Sequence, residues 1–397
     1  MHKLLRRAGI LVSLLVLAAV AALGGQASAA PQSQSGAAAK AAGMATAATA
    51  AGGLRVVASG LDNPRGIAFG QDGALYVAEA GAGGAGPCAP GPEGAEVCFG
   101  PSGAVTRIWR GTQQRVLTGL PSVAQAGGSF ALGPSDVSLT GARQYVLVNG
   151  PFGGPQIRQQ FGPGAEAFGR LLRVTGHTVR FVADFPTFEA ANNPDNGAGA
   201  QPGLEIDSDP NGLLARPGVR VVADAGGNDL LKVDAKGHIS ILAVFPVRLV
   251  PAPPGIPGLP PQIPMQSVPT TVVVGPDGAY YVGELTGFPF PVGRARVYRV
   301  VPGHRPQVYA RGFTNIIDIA FDGRGRLHVL EIAKNGLLSG DLTGALIRVN
   351  KDGSRRTLAS TGLVAPGGFV IAADGGIYVT NNGVFADTGQ VVRIPPR

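Results

Sequence analysis

Residues Gly60–Gly81 read GLDNPRGIAFGQDGALYVAEAG, and this stretch decides the fold. It holds two short apolar runs joined by Gln71-Asp72-Gly73, and Asp-Gly between two runs of β-strand character predicts a hairpin. The pattern occurs six times along the chain, each time with an acidic or amide residue that closes the second run. These closing residues are Glu79, Asn149, Asp224, Glu284, Glu331 and Asn381.

Each hairpin is followed by a third run, in which a basic residue precedes an aliphatic one, and then by a fourth run. Arg107-Ile108 and Arg299-Val300 belong to third runs, and Val308–Phe313 is a fourth run. Four short strands repeated at a period of tens of residues are typical of propeller blades. The sequence therefore predicts an all-β fold, a six-bladed β-propeller of four-stranded antiparallel blades.

The two ends of the chain predict how the ring closes. The sixth repeat stops at Arg397 after its third strand, and Val56–Leu61 near the other end matches the fourth strand Leu358–Leu363 of the fifth repeat. We expect the N-terminal strand to pair into the last blade, because closure leaves no sheet edge unpaired at the seam. The predicted domains are a signal peptide at 1–29, a disordered Ala/Gly/Ser-rich linker at 30–53 and the propeller at 54–397.

The N-terminus has the pattern of a secretory signal. Three cations precede the apolar run Ala8–Leu23, and Ala27–Ala29 offers a small-residue cleavage site. An uncleaved membrane anchor is the alternative, although the apolar run is short and rich in alanine. We expect a secreted, extracytoplasmic monomer with no membrane association after cleavage. The net charge of +8 is spread along the chain without a cluster of cations and aromatics, so nucleic acid is not an expected partner.

Cys88 and Cys98 are the two cysteines of the chain, and both lie in the long loop after the first hairpin. In an exported protein, two cysteines in one loop predict a local disulfide. A metal pair is the alternative, but no histidine or second cysteine pair accompanies them.

The order of strands predicts which residues share a surface. In an antiparallel blade, the start of the first strand and the end of the second lie at the same end. The connections between blades, the loops between second and third strands and the six closing residues therefore share one face, here called the loop face. The tight turns between third and fourth strands lie on the opposite turn face. Because the long loops meet on the loop face, we expect function there.

The six closing residues should surround the mouth of the central channel, and we call them the mouth ring. Carboxylate and amide oxygens that converge on an axis can hold a hard cation such as Ca²⁺. Alternatively, each residue accepts backbone N–H bonds within its own blade. Because an acidic or amide residue stands at this position in every blade, the structural role is favoured.

A second candidate for a metal site is the run Asp207-Ser-Asp-Pro-Asn-Gly212. It resembles the front half of a calcium loop, although Gly218 stands where a bidentate glutamate would complete such a loop. With the preceding acid included, the predicted metal ligands are Glu205, Asp207, Asp209 and Asn211.

Aromatic loop residues and one arginine predict a binding rim on the loop face. The rim consists of Arg65, Phe152, Phe161, Phe288 and Phe290. Aromatic groups on a rigid ring suit an extended or planar ligand, so the predicted partner is a small molecule, a glycan or a peptide. The alternative is that these loops pack on one another.

The chain resembles the ScyD/ScyE family of exported propellers over about residues 54–397. The resemblance rests on Gly60–Gly81, on VVADAGGNDLLKVD at Val221–Asp234, and on IPMQSVPTTVVVGPDGAYYVGELTGFPFPVGRARVYRV at Ile263–Val300. It implies a six-bladed exported propeller with NHL-like repeats and no settled activity. The run Asp207–Gly212 departs from the family, which more usually reads Asp-Ser-Asn-Pro-Tyr-Gly there.

These observations predict one function and one alternative. The leading prediction is a non-catalytic exported binding module that recognises its ligand on the loop face. The alternative is a metal-dependent, Ca-type lactonase- or lyase-like enzyme at the channel mouth. His238 and His304 fall in turns of the turn face and His328 in a strand, so Ser-His-Asp chemistry is not expected.

Overall fold

The structure is a computed structural model that describes residues 49–50, 53–91, 94–151, 153–176, 178–200, 203 and 205–396. The predicted signal peptide and most of the predicted linker lie outside the described residues. Within that linker, Thr49–Ala50 form a short strand, β1, which pairs with β2 (Leu54–Leu61).

In the described part of the chain, six antiparallel sheets of four or five strands form the blades, and this confirms the predicted six-bladed propeller. Blade 1 contains β3 (Pro64–Phe69), β4 (Leu75–Glu79), β5 (Cys88–Pro90), β6 (Glu96–Trp109) and β7 (Thr112–Ala124). Blade 2 contains β8 (Pro134–Thr140), β9 (Arg143–Val148), β10 (Arg170–Thr175) and β11 (Thr178–Asp184). Blade 3 contains β12 (Pro210–Arg216), β13 (Val219–Asp224), β14 (Asp229–Val233) and β15 (Ile239–Val244).

The second half of the ring begins after a separate hairpin, β16 (Arg248–Pro251) and β17 (Gln262–Met265). Blade 4 contains β18 (Pro269–Val274), β19 (Tyr280–Glu284), β20 (Ala295–Val300) and β21 (Gln307–Phe313). Blade 5 contains β22 (Ile316–Phe321), β23 (Leu327–Glu331), β24 (Ala345–Val349) and β25 (Arg355–Ala359). Blade 6 contains β26 (Gly368–Ile371), β27 (Ile377–Asn381) and β28 (Gly389–Ile394) together with β2.

The seam lies in blade 6, as the sequence predicted. The N-terminal strand β2 pairs antiparallel with β28, with Arg55 opposite Arg393 and Val56 opposite Val392. The first strand of every blade contacts the first strands of its two neighbours, and β26 returns to β3. The innermost strands therefore form a closed circle around a central channel.

The hydrophobic core is divided among the blade interfaces, because each sheet buries both faces against its neighbours. Six apolar clusters lie between successive pairs of blades. The cluster between blades 3 and 4, for instance, contains Val221 and Ala223 of blade 3 and Val282 and Tyr298 of blade 4. Closure of the ring thus buries the last pair of faces, between blades 6 and 1.

Short helical segments lie in the connections of the loop face. The helix α1 (Phe185–Asn192) follows β11, and Asp184 caps it by accepting a hydrogen bond from Thr187 N (3.1 Å). Arg158 holds Asp184 through two hydrogen bonds of 2.8 Å. Short 3₁₀ helices lie at Ala126–Gly128, Pro155–Phe161, Pro163–Ala165 and Leu337–Ser339.

Cys88 and Cys98 form a disulfide with an S–S distance of 2.04 Å, which confirms the predicted pairing. It links β5 to β6 within the long loop of blade 1. A search of the described residues for a helix that is long and apolar enough to cross a membrane finds none.

Candidate functional site

The central channel contains a cavity of about 330 Å³ lined by the first strands of all six blades. Arg65, Asn211 and Ile317 lie near the loop-face ends of their strands, and Asp136 and Asp318 lie one position deeper in blades 2 and 5. The cavity volume falls within the range of small-molecule sites.

The two channel aspartates hold neighbouring blades together. Asp136 Oδ2 accepts a hydrogen bond from Leu213 N of blade 3 (2.7 Å). Asp318 accepts from Thr271 Oγ1 of blade 4 (2.7 Å) and from Phe369 N of blade 6 (2.8 Å). Two of these bonds satisfy backbone N–H groups of neighbouring innermost strands, and the third holds the Thr271 hydroxyl.

Burial raises the pKa of both channel aspartates. The pKa of Asp136 is raised to about 8, with a further contribution from the charge of Asp318, and the pKa of Asp318 is raised to about 6. The backbone N–H groups that donate to these carboxylates oppose the effect. Sequence reasoning missed both residues, although an aspartate at the inner position of two repeats was a readable signal.

The mouth ring residues are all buried, and each binds the segment that leads into its own blade. The acceptors and donors are Glu79 Oε2 with Asp62 N (2.8 Å), Asn149 Oδ1 with Gly133 N (3.0 Å), Asp224 Oδ1 with Asp209 N (2.7 Å), Glu284 Oε2 with Ser267 Oγ (2.8 Å), Glu331 Oε1 with Thr314 N (2.7 Å) and Asn381 Oδ1 with Val364 N (2.7 Å). This geometry matches the structural alternative. Cation binding by the ring as a whole stays a prediction.

Arginines neutralise two of the ring acids. Arg115 donates two hydrogen bonds to Glu79, from Nη2 (2.7 Å) and from Nε (3.1 Å). Arg248, from the β16–β17 hairpin, pairs with Glu284. Burial raises the pKa of Glu284 to about 7, against the opposite effect of the Arg248 charge.

Arg65 lies near the loop-face end of the channel. Its Nη2 donates to Ala131 O (2.7 Å), and its side chain lines the cavity. Burial lowers the pKa of Arg65 to about 10, while the charge of Asp209 raises it.

The aromatic part of the predicted rim is only partly correct. Phe161 is 2% exposed and packs edge to face on Phe168, so it belongs to the core between blades 1 and 2 and not to a rim. The 3₁₀ helix that ends at Phe161 turns its side chain inward. Phe152 lies outside the described residues.

Phe288 and Phe290 remain on the loop face. Both are half-buried, and their rings meet edge to face with centroids 6.3 Å apart. Phe288 packs against the apolar side of the β16–β17 hairpin. These contacts agree with the alternative in which loops pack on one another.

A different apolar surface lies at the channel mouth. Half-buried side chains from blades 4, 5 and 6 and from the connection between blades 1 and 2 pack on buried Ile332, Ala333, Ala365 and Val384. We call this group the mouth cluster; its half-buried members are Phe130, Leu285, Ile317, Leu337, Leu342 and Phe385. Ile317 also lines the channel cavity, so the cluster continues into the channel.

Backbone hydrogen bonds fix two parts of the mouth cluster to each other. Phe130 N donates to Val384 O (3.0 Å), and Asn63 N donates to Phe385 O (2.9 Å). The rings of Phe130 and Phe385 meet with centroids 6.5 Å apart. No sequence signal indicated this surface, because its members come from one strand and from loops that are far apart in the chain.

The predicted ligands of the calcium-like run do not come together. Glu205 is exposed and accepts a hydrogen bond from Gly203 N (2.9 Å), and Asn211 donates to Thr270 O (3.0 Å) in the channel. Asp207 and Asp209 instead lie near Asp224 of the mouth ring, whose charge raises the pKa of both after the larger effect of burial. The pKa of Asp207 is raised to about 7.

Among the described residues, one group of three metal-ligating side chains has donor atoms that converge, namely Cys88, Glu96 and Cys98. The two cysteines are bonded to each other in the disulfide. Disulfide sulfur is not the thiolate that binds zinc, so this group does not fit a metal ion.

Comparisons with known proteins bear on the fold. A solved glucose dehydrogenase has 15% sequence identity and a TM-score of 0.51, and the match covers 87% of this chain and 99% of that one. A streptogramin B lyase has 10% identity and a TM-score of 0.46 over 85% and 96% of the two chains. A chain of a nidogen/laminin complex has 13% identity and a TM-score of 0.41 over 72% and 84%.

At such identities the likeness concerns the fold alone. No family model matches the chain, and no curated protein matches it. Membership of the ScyD/ScyE family is therefore not confirmed and stays a prediction. What the geometry offers is an apolar surface at the mouth of the channel, next to an arginine and a group of buried acids.

Proposed function

We propose that this protein is a binding module for a small amphipathic molecule on the loop face. The apolar part of the ligand lies on the mouth cluster, and its polar end reaches Arg65 at the channel mouth. We further propose that the module is an exported monomer of the ScyD/ScyE type and that nucleic acid and membranes are not its partners. A disulfide is in keeping with an extracytoplasmic location.

The observation that carries this proposal is the joining of the mouth cluster to the channel cavity through Ile317. Ligand sites in proteins are concave and mainly apolar, with a few polar groups that orient the ligand. Large apolar side chains gathered at an opening, rather than scattered singly over a surface, favour such a site. Arg65 supplies a cation that suits an anionic group on the ligand.

The test uses 1-anilinonaphthalene-8-sulfonate, which combines an aromatic body with an anionic sulfonate. We expect saturable binding of one probe per chain, and about tenfold weaker binding in Phe385→Ser, since part of the buried apolar area is lost. Arg65→Gln should weaken the binding of the sulfonate but not of an uncharged aromatic probe. Fluorescence titration measures both.

The matched control is Phe181→Ser, because Phe181 is 56% exposed on the outer strand of blade 2. Its titration curve should equal that of the unmodified protein. Equal weakening by Phe181→Ser and Phe385→Ser, or no weakening by either, would contradict the proposal. Melting temperatures of the variants show whether a loss of binding reflects a loss of folding.

The surroundings of Asp209 favour a second candidate function, that of a lactonase- or lyase-like enzyme. Oδ1 of Asp209 is buried and has no hydrogen-bond partner in the described part of the chain, and the charge of the channel-mouth Arg65 acts on the carboxyl group. Burial and the charges of Asp224 and Asp207 raise the pKa of Asp209 well above its usual range, and a carboxyl group of this kind can act as a general acid or base. Hydrolysis of small lactones that is lost in Asp209→Asn, with probe binding retained, would support this candidate over the simple binding module.

A further inference from the structure

Two buried aspartates face each other in blade 3. Asp224, at the end of β13, and Asp229, at the start of β14, are directly opposite partners in the antiparallel pair. Asp224 is 1% exposed and Asp229 is 0% exposed. Like charges directly opposite in a sheet destabilise it, and burial strengthens their repulsion.

The corresponding positions in other blades show that this pairing is not required by the fold. Alanine stands opposite the ring acid in blades 1 and 5, where Ala104 faces Glu79 and Ala345 faces Glu331. Among blades 1, 3 and 5, blade 3 alone therefore has a second acid opposite the ring acid.

Several carboxylate oxygens of this region have no partner. Both oxygens of Asp229, Oε1 of Glu189 and Oδ1 of Asp209 are buried and accept no hydrogen bond from any residue that the structure describes. A buried carboxylate without a donor is costly, and each such group in a folded protein calls for a missing partner or a bound proton.

The helix α1 brings a third acid to the pair. Glu189 is 2% exposed, and its carboxylate lies against the turn between β13 and β14. A Cβ at Gly227 in this turn would stand 3.1 Å from Glu189 Oε2, so glycine permits the close approach. Burial, together with the smaller effects of the charges of Asp224, Asp195 and Asp207, raises the pKa of Glu189 to about 8.

No basic side chain balances these charges. In the described part of the chain, Glu189, Asp207, Asp209, Asp224 and Asp229 take no part in an ion pair within 4.0 Å. Arg65 acts on Asp209 at the channel mouth. Within the described ranges, the acids that face α1 therefore have no basic partner.

We propose that Asp229 and Glu189 bind one Ca²⁺ ion between α1 and blade 3, close to Asp224 and Asp207. Carboxylates without histidine or cysteine suit a hard cation that prefers oxygen. Among the described residues, no three of these acids place an oxygen within 4.8 Å of one another. The ion therefore takes side-chain oxygens from two acids, with Asp229 as a ligand through both oxygens, and completes its shell with water and backbone carbonyls.

This site would tie α1 and the connection after it to the β13–β14 turn. The side chains of Asn228 and Asp195 already join the same two segments, with Asn228 Nδ2 donating to Asp195 Oδ2 (2.8 Å). Calcium would thus order the part of the loop face beside blade 3. The site does not depend on a ligand at the mouth cluster.

The experiment compares the purified protein after treatment with EDTA and after addition of 1 mM CaCl₂ at pH 7.5. We expect one bound ion per chain by titration calorimetry and a rise in melting temperature of about 3 °C or more. Asp229→Asn should abolish both effects, and its calcium-free melting temperature should equal or exceed that of the unmodified protein. Mg²⁺ at the same concentration should give a smaller rise, because it keeps its water shell.

The matched control is Asp277→Asn, which removes a carboxylate of the turn face and should keep the full calcium response. Glu189→Gln serves as a second variant, which should weaken calcium binding if Asp229→Asn does not fold. The proposal is overturned if the unmodified protein gives no calcium response, or if both variants keep it. Binding of the sulfonate probe in the presence of EDTA shows independently whether the mouth cluster functions.

Discussion

Blades 4 and 3 both bury an acid at the end of the second strand, but they neutralise it differently. In blade 4, Arg248 reaches Glu284 from the β16–β17 hairpin, which stands outside the four-stranded sheet. In blade 3, Asp224 faces Asp229 across a turn of four residues, and among the described residues neither acid forms an ion pair with a basic side chain. A loop added to a blade can supply a basic side chain that neutralises a buried acid. In a compact blade without such a loop, a bound proton or a metal ion neutralises the acid instead.

The largest effect is expected from breaking the blade 4 pair. In Arg248→Met, Glu284 stays buried without its guanidinium, which should cost about 3–5 kcal/mol of unfolding free energy. Chemical denaturation measures the loss. The double variant Arg248→Met, Glu284→Gln should recover much of it, because the uncompensated charge is gone; a double variant as unstable as the single one would show that Arg248 acts through packing.

The pH dependence of stability should expose the blade 3 acids. Burial raises the pKa of Asp229 well above its usual range and that of Glu189 to about 8, and nearby carboxylates add to both shifts. The folded state then binds more protons than the unfolded state between about pH 4 and 8. This stabilising effect is complete below the unfolded pKa values and is lost as the pH rises through the folded ones.

In calcium-free buffer, we therefore expect Asp229→Asn to exceed the unmodified protein by about 1–3 kcal/mol near pH 8 and to lose this advantage near pH 4. Denaturation curves at several pH values measure the difference. A difference that does not change with pH would contradict the assigned role of Asp229.

A smaller effect is expected for the acid of blade 1. Arg115 is half-exposed, and Glu79 also accepts hydrogen bonds from Asp62 N and from Thr106 Oγ1. Arg115→Met should therefore cost about 1–2 kcal/mol, less than the loss of Arg248, because water and the remaining donors still serve Glu79. Parallel denaturation of the two variants measures the ranking, and the reverse order would contradict it.

The smallest effect is expected on the turn face. Arg107 of the third strand of blade 1 pairs with Asp72 in the first hairpin turn (2.7 Å), and both side chains are well exposed. Arg107→Gln should change the unfolding free energy by roughly 0–1 kcal/mol, since solvent screens such pairs. Thermal melting at low and high salt measures it, and the small loss should vanish at high salt.

Much of the fold could be predicted because its signals are local. The Asp-Gly hairpin, the third-strand cation and the closing residue repeat within each blade, so the blade number and the seam follow from the order of residues. The Cys88–Cys98 disulfide follows for the same reason, since the two cysteines share one loop. The alternative role of the mouth ring residues, as hydrogen-bond acceptors within their own blades, could also be predicted, because such a residue recurs in every blade.

The sites were harder to predict because their residues come from separate loops. Phe161 was expected on the rim, but the 3₁₀ helix before it directs the ring into the core. Phe130 and Phe385 lie far apart in the chain and meet only because blade 6 closes beside blade 1. Asp229 was visible after a short turn, yet nothing in the repeat indicated that Glu189 of α1 would join it.

The order of amino acids alone determined a ring of six sheets, its closure by the N-terminal strand and the face on which the long loops gather, because each of these depends on hydrogen bonds between neighbouring strands. Only the tertiary structure decided which buried acid receives an arginine and which does not. The reason is that charge compensation acts through space, and the distances between Arg248 and Glu284, or between Glu189 and Asp229, are set by how separate loops pack on the ring.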